Sequence, residues 1–412
     1  MDTTALVDLA PLGRLLAMAS LFALLPLAWV WLRSRGGDAR ARLATLTALT
    51  VFLTFDLIVF GAFTRLSDSG LGCPDWPGCY GAASPLGARD DILAAQTAAP
   101  GGPVTWSKAW IEMIHRYLAM TVGALILVMT AASWAAHFAA RRAQVQGAAG
   151  VADRMPISPW WPTLTLVWVI VQGLFGKYTV TLKLYPAIVT LHLLGGLLLL
   201  AMLAVQQQHF SRRALALPRR LRLGAVAVMA LLVVQVALGG WVSTNYAVLA
   251  CTGFPACNGQ WWPAMDFGQG FTLLRGLGEA GADGHRGVDA LVAIHMAHRL
   301  GALVVVTALL VLAWALWRRG AASAGAGEAG KAGKAGEASE ASEASEAGSR
   351  RLALTLALLT ALQVGSGLSN VVLGWPLIAA LGHSAGAAAL VWVLTVLLAR
   401  SRLSAHQPRA AA

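Results

Sequence analysis

Charge is what this sequence has least of. Only 12% of its residues are Asp, Glu, Lys or Arg, while 57% are hydrophobic and the mean hydropathy is +0.65. A soluble globular chain carries about twice that share of charge. The composition therefore excludes an ordinary water-soluble domain and implies a polytopic membrane protein. Acidic residues are scarcer still, 19 against 31 Lys and Arg. The formal charge of +12 is no nucleic-acid signature, because the basic residues cluster between apolar runs, where the positive-inside rule puts them. Cysteine is limited to four residues in two close pairs. Their C-x5-C spacing argues against a zinc or iron–sulfur site. No cleavable signal peptide is expected, since the first apolar run, from about Pro11 to Leu32, is long enough to span and lacks a small-residue cleavage site.

A bilayer core of ~30 Å takes about 20 apolar residues in a helix. Nine runs qualify, at roughly 11–32, 43–63, 109–136, 161–179, 187–208, 222–243, 290–317, 351–373 and 377–399. The expected fold is all-α. Every second connection is basic: Arg33 to Arg42, Arg141 to Arg154, Arg212 to Arg222, Arg318 to Arg351, and the tail from Arg400. These connections face the cytoplasm, which puts the N-terminus and both cysteine loops outside and the C-terminus inside. The Ala/Gly/Ser/Glu/Lys stretch Ala321–Ser349 reads as a flexible cytoplasmic linker.

The chain repeats itself. CPDWPGCYG (Cys73–Gly81) and CTGFPACNG (Cys251–Gly259) share C-x-x-[aromatic]-P-x-C-x-G. Each is followed by a helix start bearing x-x-H-R, in IEMIHRYLAM (Ile111–Met120) and AIHMAHRLGA (Ala293–Ala302). Next comes a Gln with glycines, at Gln172 and Gln363, and then a Pro ahead of a His, Pro186 to His192 and Pro376 to His383. Two four-helix bundles follow from this, residues 43–210 and 211–400. Both start and end inside, so they form a parallel repeat about an axis along the membrane normal. Residues 1–42 add an accessory helix and a basic loop, and 401–412 a tail.

Four histidines, His115, His192, His298 and His383, lie five to eight residues into helices entered from outside. At 1.5 Å per residue that is a depth of about 8–12 Å. An ionisable residue in a membrane helix is costly and marks function by default. Paired neutral imidazoles across a four-helix bundle suit the iron of a haem. The blander reading, a hydrogen bond to a neighbouring helix, fits one such His better than four at matched depth. His137, His209, His285 and His406 read as solvated, whereas His295 shares a helix face with His298. Arg116 and Arg299 directly follow two of the four and suit either haem propionates or snorkelling to headgroups. One position breaks the repeat: Glu112 in the first half answers to His295 in the second. A carboxylate one turn from a ligand His can act as a base or stabilise a cation; the blander reading is a partner for a local Arg or Lys. Cys73/Cys79 and Cys251/Cys257, on the oxidising side, are either stapling disulfides or redox-active dithiols.

Taken together, TRLSDSGLGCPDWPGCYG (Thr64–Gly81), EMIHRYLA (Glu112–Ala119), GKYTVTLKLYPAIVTLHLLGG (Gly176–Gly196), GGWVSTNYAVLACTGFPACNGQWWP (Gly239–Pro263), HMAHRLGA (His295–Ala302) and SNVVLGWPLIAALGH (Ser369–His383) resemble the haem A synthase family. The resemblance covers about Val51 to Ala399. It implies an inner-membrane oxidoreductase that turns a ring methyl of haem O into a formyl group through an alcohol, with water as oxygen source, for cytochrome oxidase biogenesis. It implies haem B as cofactor on His298 and His383, haem O as substrate on His115 and His192, and Glu112 as the catalytic carboxylate. Cys73 and Cys79 match a pair with a suggested redox role in some members. The implied partners are a haem O synthase, an electron acceptor and the lipid bilayer; self-association stays open, as does the part played by His295. The family core has eight helices. The first span and the 321–349 linker are departures, expected to touch none of the motifs. Two rival readings are a bis-His cytochrome b that only carries electrons, which calls for two equivalent sites, and a transporter, which calls for broken helices and a polar midplane.

Overall fold

The computed structural model describes residues 10–146, 158–211, 214–274, 287–329 and 336–405 of the 412-residue chain. Among these residues there are helices and turns but no strands, with isolated bridges only at Cys79–Ala82 and Cys257–Gln260. An all-helical chain satisfies its backbone polar groups internally, as a bilayer requires. Two compact units divide it, Met1–Phe210 and Ser211–Ala412.

The first unit runs α1 (Ala10–Arg33), α2 (Ala39–Leu66), α3 (Arg89–Ala98), α4 (Trp106–Val145), α5 (Trp160–Thr181) and α6 (Pro186–Ser211). The second runs α7 (Arg219–Thr244), α8 (Phe267–Gly270), α9 (Val288–Ala329), α10 (Gly336–Val372) and α11 (Leu377–Ala405). Among the described residues, eight helices are long and apolar enough to cross a membrane: α2, α4, α5, α6, α7, α9, α10 and α11. For α1, the apolar helical stretch of this kind is the shorter Ser20–Arg33.

The helices start where their caps put them. Asp38 accepts from the Ala41 amide at 2.8 Å to open α2, and Thr105 accepts from the Lys108 amide at 3.3 Å to open α4, each satisfying an amide with no partner within the helix. Pro186 opens α6, at the position where its missing N–H costs nothing. Inside the first unit Leu125, Ile126, Met129, Leu200 and Leu203 are fully buried. A polar tie joins three helices there: the Gln206 amide donates to Thr47 Oγ1 at 3.2 Å and meets Met129 Sδ at 2.9 Å. Such ties and close packing hold helices together where lipid offers no hydrophobic drive.

Three expectations change. The helices outrun the apolar runs that announce them, so α4 extends to Val145 and α5 takes in all of KYTVT. The linker expected over 321–349 is helical at 321–329 and 336–349, its centre lying outside the described residues; Ala and Glu are strong helix formers, and that outweighs the low-complexity composition. Finally, α1 does touch a motif. Phe22 packs on Tyr117 of the HRYLA segment with ring centres 5.6 Å apart, and Met18 packs on the cluster beneath the first cysteine loop.

Candidate functional site

Each unit carries a cysteine loop closed by a disulfide, Cys73–Cys79 in one and Cys251–Cys257 in the other, and no free cysteine is left. The two loops share a backbone course. Both have a cis proline, at Pro77 and Pro255, and both place a residue in the left-handed region after the second cysteine, Tyr80 and Asn258. Their internal locks differ. Asp75 accepts from the Tyr80 and Gly81 amides at 2.6 and 2.7 Å, whereas Asn258 bonds Thr252 and the Ala250 carbonyl. Burial, with Asp91 and Asp75 nearby, pushes the Tyr80 phenol above its ordinary range.

An arginine pins each loop to the helix behind it. Arg116 on α4 donates to the carbonyls of Asp75, Pro77 and Gly78. Arg299 on α9 donates to those of Ala256, Cys251 and Gly253. Helix C-termini and folded loops present carbonyls in this way, and a planar guanidinium with several donors can serve more than one. Loop anchoring is a role the sequence reading of these arginines did not include. Arg299 also keeps a buried Nε with no partner in the protein.

The two units part company one turn before the arginine. Glu112 is 3% exposed. Its Oε2 accepts from the Cys73 amide at 2.8 Å, and its Oε1 accepts from Arg116 Nη2. The carboxylate is thereby fixed against the loop by a backbone N–H and a cation, which offset part of the cost of its burial. Gly72 makes this possible: a Cβ there would overlap the backbone of Lys108 and Ala109. The equivalent in the second unit is Ala250, and His295 in the place of Glu112 meets the Ala247 carbonyl through Nδ1 at 2.9 Å. A carbonyl can only accept, so that Nδ1 carries the proton.

The four sequence-identified histidines are each seated on a glycine of another helix in the same unit. Gly61 of α2 faces His115 of α4, and Gly176 of α5 faces His192 of α6. Gly239 of α7 faces His298 of α9, and Gly367 of α10 faces His383 of α11. An added Cβ would come to 2.9, 3.7, 3.0 and 3.1 Å of the respective ring carbons. In the second unit the two imidazoles stand edge to face with centres 6.5 Å apart. Two metal–nitrogen bonds of about 2 Å, with half a ring on either side, come to roughly 6–6.5 Å, so the spacing suits one metal ion held by both. Phe60 stacks on His115 with ring centres 6.4 Å apart. Buried orphan atoms gather here: His115 Nδ1, His192 Nδ1 and both polar atoms of Gln172 have no partner in the protein. Unpaired buried polar groups are rare and point to a missing partner.

The structure thus brings Glu112, three residues before His115, and Arg116, directly after it, into one hydrogen-bonded group with the Cys73–Cys79 loop. His298 is likewise brought to His383. His209 bonds its own helix at Val205 O, and His285 and His406 lie outside the described residues. Sequence reasoning missed Gly72, Gln235 and Ser366. Gln235 Nε2 lies 3.0 Å from His298 Nδ1, and Ser366 Oγ lies 3.0 Å from His383 Nδ1. The signal was their place four residues or one residue before a repeated glycine, visible only once the glycine is known to face a ring.

Comparison with known proteins identifies relatives. The family described as cytochrome oxidase assembly protein (COX15-CtaA) matches residues 44–333. A heme A synthase of Shewanella oneidensis is 34% identical over 361 residues, covering 86% of this chain and 96% of that protein. Heme A synthases of Shouchella clausii and Halalkalibacterium halodurans are 28% and 25% identical, each over 54% of this chain and 65% of their own length. With the match running through both cysteine loops and three of the four seated histidines, the chain belongs to the cytochrome oxidase assembly protein family.

Proposed function

We propose that this chain is a haem A synthase, a membrane oxidoreductase that converts a ring methyl of haem O to a formyl group by way of the alcohol. Kinship with heme A synthases supports the reading. Within the fold, the carrying observation is the buried Glu112, held by the Cys73 amide and Arg116 three residues from His115, at a position where the other unit has His295. Two equivalent electron-carrying sites would not call for that difference.

The site residues fall into roles. His115 and His192 would hold the iron of the substrate haem O, and His298 and His383 that of a haem B. The donor set fits: half-buried imidazoles, ring spacing suited to a shared metal, and glycine seats that a Cβ would fill. Haem B, when bound, supplies electron transfer. Glu112 supplies a fixed negative charge near a ring that loses electrons, and a base for the proton of attacking water. Arg116 keeps that carboxylate oriented while tying down the disulfide loop over it. The electrons and protons removed pass to an acceptor. Arg299 has its Nε left as a donor for a propionate.

The architecture that goes with this reading is a parallel repeat of two four-helix halves with α1 as a ninth span. The first half is the substrate half and the second the cofactor half. The N-terminus and cysteine loops face the periplasm and the C-terminus the cytoplasm of a bacterial inner membrane, beside a haem O synthase. The disulfides close each loop on itself, and Arg116 and Arg299 tie the loops to the helices behind them.

The test is pigment extraction from membranes expressing this chain with a haem O supply. Haem A appearing supports the enzyme. Bound haem B with haem O unchanged supports a bis-His electron carrier instead.

A further inference from the structure

The two histidine pairs are supported differently. In the second unit each Nδ1 has a neighbour: Gln235 Nε2 at 3.0 Å for His298, and Ser366 Oγ at 3.0 Å for His383. Gln235 also donates to the His298 carbonyl at 3.0 Å, and Ser366 donates to the Leu362 carbonyl at 2.8 Å, so both partners are themselves held. In the first unit His115 Nδ1 and His192 Nδ1 are buried without any partner. The sequence explains the difference. Gln235 stands four residues before Gly239, and the same place before Gly61 is Leu57; Ser366 stands directly before Gly367, and the same place before Gly176 is Phe175. Space is arranged to match. Gly301, three residues past His298, leaves room for the Gln235 amide, which a Cβ there would overlap; three residues past His115 the chain has Leu118.

Resting on the haem reading above, we propose that Gln235 and Ser366 are positioning residues that make the second pair a permanent haem mount, and that Leu57 and Phe175 leave the first pair a releasing one. An imidazole that gives Nε2 to iron carries its proton on Nδ1. A partner that accepts this proton fixes the ring's rotation and tautomer and raises its basicity, so iron is held more tightly and its oxidised state is favoured. Ser366 Oγ is placed to accept from His383 while donating to Leu362. With the proton on His298 Nδ1, the Gln235 amide turns to present its oxygen to the ring and gives up its bond to the His298 carbonyl. Neither Nδ1 of the first pair has such an acceptor in this structure: His115 has no glutamine at the matching place, and Gln172, which stands toward His192 as Gln235 does toward His298, leaves both its polar atoms without a partner. Their rings are held by packing alone, by Gly61 and Phe60 for the first and Gly176 for the second. A substrate haem must enter and a product haem must leave at every turnover, whereas a resident haem must stay. One hydrogen bond per ligand, present in one half and absent in the other, separates these two demands without changing the ligands.

The experiment uses the full chain purified with its haem, reading the midpoint potential of haem B and its rate of transfer to apomyoglobin. Ser366→Ala and Gln235→Leu are each expected to shift the potential upward and speed haem B loss about tenfold, the usual scale for removing a ligand's hydrogen-bond partner. Ser366→Thr keeps the hydroxyl and is expected to keep both values. The reciprocal change, Leu57→Gln with Leu118→Gly, is expected to slow release of haem from the first unit. Unchanged potential and loss rate in Ser366→Ala, with the protein folded by thermal melt, would overturn the inference. So would equal loss in the Ala and Thr variants, which marks mere packing. If Ser366→Ala does not fold, the reciprocal variant decides, and unaltered release from it overturns the inference. A wild-type chain that binds no haem B overturns the site reading itself, and this inference with it.

Discussion

The Cys73 backbone amide donates to Glu112 Oε2 over 2.8 Å, joining the disulfide loop to the helix that carries His115. A loop read as a staple and a carboxylate read as a catalyst are therefore one unit. Glu112 is also bound to Arg116, whose other amino group grips the loop carbonyls. Whatever moves the loop moves the carboxylate.

Glu112→Gln keeps the shape and an oxygen for the Cys73 amide but removes the charge. Haem O is expected to stay bound, since His115 and His192 are untouched. Haem A formation is expected to fall about 10²–10⁴-fold, the range for losing a positioned base. Pigment chromatography measures both. Haem A made at the wild-type rate would remove Glu112 from the chemistry.

The arginines should not be equal. Arg116 and Glu112 are both largely buried, with side-chain exposures of 10% and 5%. Removing one partner of a buried pair costs about 3–5 kcal/mol, because the other charge is left stranded. Arg299 makes three carbonyl bonds, as Arg116 does, but its loss leaves no buried carboxylate stranded. Arg116→Met is expected to lower the thermal midpoint in detergent more than Arg299→Met does. The double variant Glu112→Gln/Arg116→Met should recover part of the loss, and no recovery would mean that the pair is not coupled.

Gly72 and Ala250 offer a cleaner comparison. A Cβ on Gly72 would overlap backbone of Lys108 and Ala109, which cannot swing aside as a side chain can. Gly72→Ala is expected to destabilise by about 1–3 kcal/mol, the usual cost of overpacking, and to reduce haem A formation by pulling Cys73 N from Glu112. Ala250→Gly should leave haem B content unchanged. Unfolding curves and product yield together check the pair.

Much of this was legible in the sequence. The spans were, because lipid demands long apolar runs, though α4 and α9 extend beyond those runs where water can solvate their ends. The seated histidines were, because an imidazole in an apolar helix is conspicuous and each half repeats it. The partners of Arg116 were not, since loop carbonyls become a binding surface only after CPDWPGC has folded on itself. Gly72 was invisible for a related reason: its role depends on a backbone 36 residues away in sequence at Lys108. Ser366 and Gln235 looked like ordinary polar residues of a span, and the packing of α1 on Tyr117 left no periodic trace.

The glycine seats yield a graded prediction. An alanine Cβ at Gly367 would come to 3.1 Å of the His383 ring, tighter than an ordinary contact, whereas at Gly176 it would come to 3.7 Å of His192, which is ordinary van der Waals distance. Both positions are helical, where Ala is preferred over Gly by about 1 kcal/mol. Gly176→Ala should therefore fold at least as well as the natural chain and keep its haem O turnover. Gly367→Ala must displace the His383 ring or its helix by a few tenths of an ångström. That shift is expected to lower haem B content and alter the low-temperature spectrum of the bound haem without unfolding the protein. Absorbance per mole of protein and a thermal melt on each variant separate the two outcomes. Equal haem B content in both would show that the ring spacing of the second unit tolerates movement, and that the glycines are there for helix packing rather than for the histidines.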